Sequence, residues 1–180
     1  VTIKTNLKGS VLEMLLVNEL FSGIGSQRQA LQRLGVPHRI VGISEIDKYA
    51  IQSYNAIFGE TRNYGDIMQI EKLDYADLWT YSFPCTDISV AGRQEGIIKG
   101  VTRSGLLYEV QRLLEKSKEC NELPKYLLLE NVKNLVGKKF KPQFDAWLEY
   151  LDALGYNTYW QVLNAKDYGV PQNREREYSQ

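Results

Sequence analysis

Histidine and cysteine are scarce: one and two among 180 residues. His38 follows a proline in what reads as a polar turn, with no histidine, cysteine or carboxylate at ligand spacing, so no metal site is expected. The two cysteines, Cys85 and Cys120, cannot make a disulfide framework and suit a reducing compartment. No apolar run reaches the roughly 20 residues of a membrane-spanning helix, and no basic-then-apolar leader opens the chain. The expectation is a cytoplasmic protein without a membrane partner. Excess charge is also lacking, since 22 basic side chains balance 22 acidic ones. Phosphate contacts usually demand a basic surplus, so any nucleic-acid role needs a local cluster or a part outside this sequence. Lys133, Lys138, Lys139 and Lys141 are the candidate cluster, with a solvated loop as the alternative. Repeats and low-complexity linkers are absent, and the length suits one domain. Residues 1–13 have no periodicity and read as an extension or tail, and 14–180 as the folded unit.

What is present alternates. Apolar, β-prone runs at 15–21, 39–45, 77–83, 124–130 and 157–163 predict strands, and a short strand is expected to end at Gly65-Asp66-Ile67. Between them, helical periodicity covers 26–34, with Ala30, Leu31 and Leu34 on one face, then 47–58, 105–120 and 142–154. This alternation indicates an α/β fold with a doubly wound, mostly parallel sheet. Trp79, Trp147 and Trp160 fall at core-type positions, and Cys120 at a helix end reads as a residue without chemistry.

Three features carry chemistry. Pro84-Cys85 places a thiol just after a buried strand and before the polar, glycine-rich stretch 86–100, where open α/β sheets bind ligands. A buried structural cysteine is the alternative reading. At the end of the first strand, Phe21-Ser-Gly23-Ile24-Gly25 forms a glycine corner that permits a tight turn and close approach of a ligand. The third glycine of the dinucleotide fingerprint is replaced by Arg28, which disfavours pyrophosphate. Glu45 ends the second strand about twenty residues on, suited to ribose hydroxyls, and Asp66 ends the third, suited to an adenine amino group. An adenosine cofactor without phosphates fits this set, and S-adenosylmethionine is such a molecule. Taken singly, each acid could equally be a helix cap or turn residue.

With these residues assembled, the chain closely resembles the catalytic domain of the cytosine-5 DNA methyltransferases, from about Val17 to Arg176. Phe21-Ser-Gly-Ile-Gly25 is similar to the family's first cofactor motif, Glu45-Ile46 to its ribose and adenine contacts, and Gly65-Asp66-Ile67 to the next adenine contact. Phe83-Pro84-Cys85 resembles the nucleophile motif, Glu130-Asn131-Val132 the glutamate motif, and Gln172-Asn-Arg174-Glu-Arg176 the arginine motif. Arg103-Ser-Gly-Leu-Leu-Tyr-Glu109 resembles the segment that closes on the cofactor through Leu106. The resemblance implies a Rossmann-like S-adenosylmethionine-dependent fold, with double-stranded DNA as substrate and partner, and a bacterial or phage gene if the source is prokaryotic. It implies Cys85 as nucleophile, Glu130 bonding ring N3, Arg174 binding O2, and Arg176 holding Glu130. Pro84 would lie against the cofactor, Asn131 would serve the exocyclic amine side through its backbone, and Ser89 would close with the loop over a flipped base.

The chain departs from that pattern in three places. Thr86 follows Cys85 where the family usually has glutamine, and the loop between Arg93 and Arg103 is slightly longer. After Arg176 the family continues with an apolar strand, a target-recognition domain and further motifs, one of which completes the cofactor pocket. Here the sequence runs Glu177-Tyr-Ser-Gln180, so the C-terminal part is expected to be missing and a sheet strand absent or stunted. The implied activity would then need a complementary C-terminal subunit. The competing readings are a catalytically incompetent fragment or split-enzyme subunit serving as a binding or scaffold protein, and a relative acting on tRNA cytosine.

Overall fold

The computed structural model describes residues 13–85, 87–88, 96–98, 100 and 102–180. The chain runs β1 (Leu15–Leu20), α1 (Ser26–Arg33), β2 (His38–Ser44), α2 (Lys48–Phe58), β3 (Leu78–Tyr81), α3 (Leu107–Glu119), β4 (Tyr126–Val132), α4 (Lys141–Ala153), β5 (Trp160–Asn164) and β6 (Glu175–Ser179). The six strands form one sheet in the order β2-β1-β3-β4-β6-β5. Strands β2, β1, β3 and β4 pair in parallel, whereas β6 is antiparallel to both β4 and β5. The mostly parallel Rossmann-like sheet inferred from the sequence is therefore present.

Burial explains why these segments are strands. All four residues of β3, Leu-Trp-Thr-Tyr, are buried, as are the last four of β1. A strand covered on both faces reads as a continuous run rather than an alternation. The core lies along β3 and β4, where Trp79, Tyr81, Phe83 and Leu129 meet Val110, Leu113 and Leu114 of α3 and Phe144, Trp147 and Leu151 of α4. Trp147 Nε1 donates to the Tyr81 hydroxyl at 3.2 Å, whereas Nε1 of the more deeply buried Trp79 has no partner among the described residues. Helix α2 starts where Asp47 accepts from the amides of Tyr49 and Ala50, and α4 begins with a proline in its first turn.

The chain leaves β1 toward β2 on one side and returns to β3 on the other. The strand order thus reverses between β1 and β3, the position where open α/β sheets form a ligand crevice. The glycine corner leaves β1 and Pro84-Cys85 follows β3 at this same rim.

Several expectations need correction. The strand ahead of Gly65 is reduced to one bridge, Asn63 with Ile43, and Ile67–Gln69 is a single helical turn capped by Asp66. The strand expected to be absent or stunted at the arginine motif is formed: Glu175–Ser179 is β6, inserted between β4 and β5. Strand β4 extends through Val132, so Asn131 lies within it. His38 begins β2 rather than a turn, with Nδ1 2.7 Å from the Val36 carbonyl. The expected apolar face of α1 is not buried, and Leu34 is 75% exposed. Trp160 sits at the sheet edge, 41% exposed, with its ring edge-on to Phe144. The lysines do not form one solvated loop either. Lys133 pairs with Glu175 at 2.9 Å, and Lys141 opens α4 paired with Asp145. Thr86, Ser89 and Arg93 lie outside the described residues. Among the described residues no helix is long and apolar enough to cross a membrane, and no cluster of three or more histidine, cysteine or acidic residues could hold a metal ion.

Candidate active site

At the glycine corner, Phe21 adopts φ 56°, an unusual conformation for a bulky residue and one that concentrates at functional turns. Gly23 and Gly25 also have positive φ, but for different reasons. A Cβ on Gly25 would lie 2.5 Å from a Phe58 ring carbon and 2.7 Å from Tyr54, so this glycine serves the packing of α2 against α1. A Cβ on Gly23 would meet nothing within 4 Å, which leaves that side of the corner open. Gly23, rather than Gly25, is the one that faces free space.

The corner is braced from below by Glu19, a fully buried residue that the motif reading passed over. One carboxylate oxygen accepts the Arg28 amide at 3.0 Å and the other accepts the Tyr54 hydroxyl. Burial pushes the Glu19 carboxyl up from its ordinary value, and the Tyr54 and Arg28 bonds pull it back in part.

Glu45 does more than end β2. Its Oε2 accepts from Gly23 N at 2.8 Å, and Oε1 accepts from the amides of Ile46 and Asp47 at 2.8 and 2.9 Å. Three of the roughly four acceptor positions of a carboxylate are thus taken by backbone, leaving about one for a ribose hydroxyl. Asn63 ties in the third segment, accepting from Glu45 N and Gly65 N through Oδ1. Asp66 caps the following turn through Met68 N at 3.0 Å. The side chain of Ile67 enters the core, so only its backbone faces the rim, whereas Ile24, Ile46 and Met68 are exposed there. Ser22, within the corner, has a buried hydroxyl with no partner among the described residues. An orphaned hydroxyl, an open glycine and exposed apolar side chains beside acids fit an adenosine group with apolar walls.

The other half of the site surrounds Cys85, which is half-buried against the core. Asn131 is buried, and its Nδ2 donates to the Phe83 carbonyl at 3.1 Å while its Oδ1 accepts from Val132 N. One bond thereby joins the Glu130-Asn131 segment to the peptide two residues before the thiol. It also gives the Asn131 side chain a task that its motif did not suggest. Gln27 Nε2 donates to the Ser82 hydroxyl at 3.0 Å, linking the first turn of α1 to the same loop. The cofactor-type corner and the thiol are therefore parts of one rim. Leu106 follows in a helical turn at Arg103–Leu106, partly buried against the core.

Glu130 and Arg176 meet across the β4–β6 ladder, with Arg176 Nε 3.1 Å from Glu130 Oε1. Arg174, two residues earlier, is exposed, and its backbone amide donates to Asn164 Oδ1 at 3.2 Å. A cleft of about 480 Å³ beside them is lined by Val132, Lys133, Asn134, Glu175 and Arg176. A larger cleft, about 650 Å³, lies at the opposite rim among Leu15, Leu78, Tyr126, Tyr156 and Tyr159. It holds none of these acids, nor the thiol, so chemistry rather than volume identifies the site.

Glu177, next to Arg176 on the other face of β6, is fully buried, and among the described residues neither carboxylate oxygen has a hydrogen-bond partner of good geometry, the Ser179 hydroxyl being the nearest polar group to influence it. Burial pushes its carboxyl up to about 8, with the Ser179 hydroxyl lowering it and Glu130 raising it further. The polar run Glu-Arg-Glu-Tyr-Ser hides this placement, because only pairing with β4 and β5 reveals which residues turn inward. Glu19, Ser104 and Asn134 were likewise missed, each lying inside or beside a motif without being its signature residue.

Compared with known proteins, residues 15–179 match the family described as C-5 cytosine-specific DNA methylase. The Type II methyltransferase M2.ScrFI of Lactococcus lactis subsp. cremoris is 41% identical over 91% of this chain and 59% of its own length. The orphan methyltransferase M.SPBetaI of Bacillus phage SPbeta is 37% identical over 93% of this chain and 44% of its own. Among solved structures, the S. pombe Dnmt2 methyltransferase superposes with a TM-score of 0.73 at 26% identity, covering 93% of this chain and 49% of that one. The chain spans between 44% and 59% of the length of these three relatives.

Proposed function

Since the chain belongs to the C-5 cytosine-specific DNA methylase family, we propose that it is the catalytic portion of an enzyme that methylates C5 of cytosine in double-stranded DNA. What supports this reading is that the β4 segment presenting Glu130, paired to Arg176, also bonds through Asn131 to the Phe83 carbonyl, two residues before Cys85. S-adenosylmethionine, when bound, supplies an electrophilic methyl group. Gly23, Glu45 and Asp66 would hold its adenosine part, with Ile24, Ile46, Leu106 and Pro84 as apolar walls.

The residues then divide the work. C5 of cytosine is a poor nucleophile until electron density is pushed into the ring. The Cys85 thiolate does so by bonding to C6, and a thiol suits the step because it is both nucleophilic near neutral pH and able to leave. Glu130 bonds to N3 and stabilises the charge that this addition places on the ring. Arg176 holds Glu130 in orientation, and Arg174 receives O2. Once C5 has taken the methyl group, its proton departs to a base, the C5–C6 double bond re-forms and the sulfur leaves. The base must be out of the duplex for this attack, a role in which Ser89 and the residues around it would close over it. Sequence recognition and the remaining wall of the cofactor pocket are assigned to a complementary C-terminal part. Acting on DNA in a bacterial or phage setting, the enzyme would be cytoplasmic.

The test is covalent trapping on duplex DNA containing 5-fluorocytosine, with S-adenosylmethionine, with and without a candidate C-terminal partner. The expected result is an adduct at Cys85 that is lost in Cys85→Ala. Absence of adduct in both arms sinks the enzyme reading for this chain, and an adduct that survives Cys85→Ala sinks the nucleophile assignment. A fluorinated tRNA transcript trapped in place of the duplex would transfer the proposal to RNA.

A further inference from the structure

The turn that carries Cys85 is gripped by a residue to which no role has been given. Ser104 is fully buried in the helical turn Arg103–Leu106. Its hydroxyl donates to the Pro84 carbonyl at 2.7 Å, and its amide donates to Asp87 Oδ2 at 2.9 Å. One residue therefore holds the chain on both sides of Cys85. We propose that Ser104 is a positioning residue for the thiol, fixing the peptide plane from which the Cys85 side chain departs. The inference rests on reading Cys85 as the nucleophile.

The geometry supports this strongly. A peptide unit is planar, so holding the Pro84 carbonyl oxygen also sets the direction of Cys85 N and Cα. Asn131 holds the preceding plane in the same way, through the Phe83 carbonyl at 3.1 Å. Between the two planes the pyrrolidine ring of Pro84 locks φ. Two consecutive planes, each fixed by a buried side chain from a different element, leave only the rotations at Cys85 itself to aim Sγ. On the far side, Ile88 N donates to the Cys85 carbonyl at 3.1 Å, and Asn134 Nδ2 holds the Ile88 carbonyl at 2.5 Å. Among the hydrogen bonds of the described residues, Ser104 is the residue that reaches both flanks of the thiol. The same turn carries Leu106, so a ligand resting on Leu106 presses on the element that aims the sulfur.

The comparison residue is Thr102, which caps this turn but, among the described residues, makes no hydrogen bond to Pro84. Its Oγ1 accepts from Gly105 N at 3.2 Å and donates to the Gly96 carbonyl at 2.8 Å. The experiment uses the whole chain carrying Cys120→Ser, so that Cys85 is the sole thiol. The rate of Cys85 alkylation by iodoacetamide is followed across pH 6 to 9.5 in the parent, Ser104→Ala and Thr102→Ala, with urea midpoints measured alongside. Ser104→Ala is expected to raise the Cys85 rate by about fivefold or more and to displace its pH profile, because the half-buried sulfur is released. Thr102→Ala is expected to lower the urea midpoint as well, yet leave the Cys85 rate within about twofold of the parent. Ser104→Thr and Ser104→Val, nearly equal in shape, form a second pair should Ser104→Ala not fold. Threonine should keep the parental rate and valine should lose it. An unchanged rate in Ser104→Ala, or equal changes in Ser104→Ala and Thr102→Ala, overturns the proposal. Neither DNA nor cofactor enters this assay. A failed trapping experiment beside a shifted alkylation profile would therefore sink methyl transfer and leave the positioning role standing.

Discussion

Replacement of Glu177 should stabilise the protein at neutral and alkaline pH. Its carboxyl is buried in β6 with no hydrogen bond of good geometry among the described residues, and burial holds its titration at about 8 rather than the ordinary 4.5. Below about pH 4.5 the carboxyl is protonated in both folded and unfolded chains, and no penalty arises. Between 4.5 and 8 the unfolded chain releases this proton while the folded chain keeps it. Stability then falls by about 1.4 kcal/mol for each pH unit gained, and levels off above 8. Across that window the loss is on the order of 4–5 kcal/mol. Glu177→Val removes the titration and supplies a β-branched apolar side chain to a buried strand position. Urea denaturation of parent and variant, followed by circular dichroism at each pH from 5 to 9, gives a difference curve free of the other titrating groups. The variant's advantage should be least at pH 5 and grow until about pH 8. Parallel curves for parent and variant, or a valine variant less stable throughout, would refute the argument. Glu177→Gln should flatten the curve similarly but gain less, because its amide is still buried and polar.

Other outcomes follow from the site. Gly25→Ala should cost about 2–4 kcal/mol, since the added carbon meets two rings at a positive φ, whereas Gly23→Ala should cost only the 1–2 kcal/mol or so of its backbone conformation; urea midpoints of both check the contrast. Asn131→Ala strands the Phe83 carbonyl in the interior, costs about 1–3 kcal/mol in urea denaturation and should depress adduct formation. Arg176→Ala breaks a pair that is about one-quarter exposed, so stability should change by less than about 1 kcal/mol, while trapping on 5-fluorocytosine DNA should fall about 10–100-fold.

How much of this was readable beforehand depended on whether the signal was local. The buried run of β3 and the helical repeat in α3 state their structure within a few residues, and both were found to within a turn. Gly25 was recognised as special, but its reason lies in Tyr54 and Phe58, about thirty residues away. The strand expected before Asp66 shrank to a single bridge, because Asn63 and Asp66 spend their side chains on local turns. Glu175–Ser179 shows the opposite case: five mostly polar residues become a central strand because two neighbouring edges need a partner. Tertiary pairing outweighed propensity there.

That central position of β6 has a consequence for how the molecule comes together. Strand β5 pairs along its whole length with β6, and the upper half of β4 leans on it too. A chain emerging from the ribosome presents β4 about forty residues, and β5 about ten, before the strand that joins them. For that interval both strands carry open edges, the kind that invite pairing with another chain. The segment that joins β4 to β5, leaving β5 as the sheet's outer edge, also delivers Arg176 to Glu130. Closure of the sheet and arrival of the arginine are thus one event, and a nascent or misjoined molecule with an open sheet cannot have a complete active site.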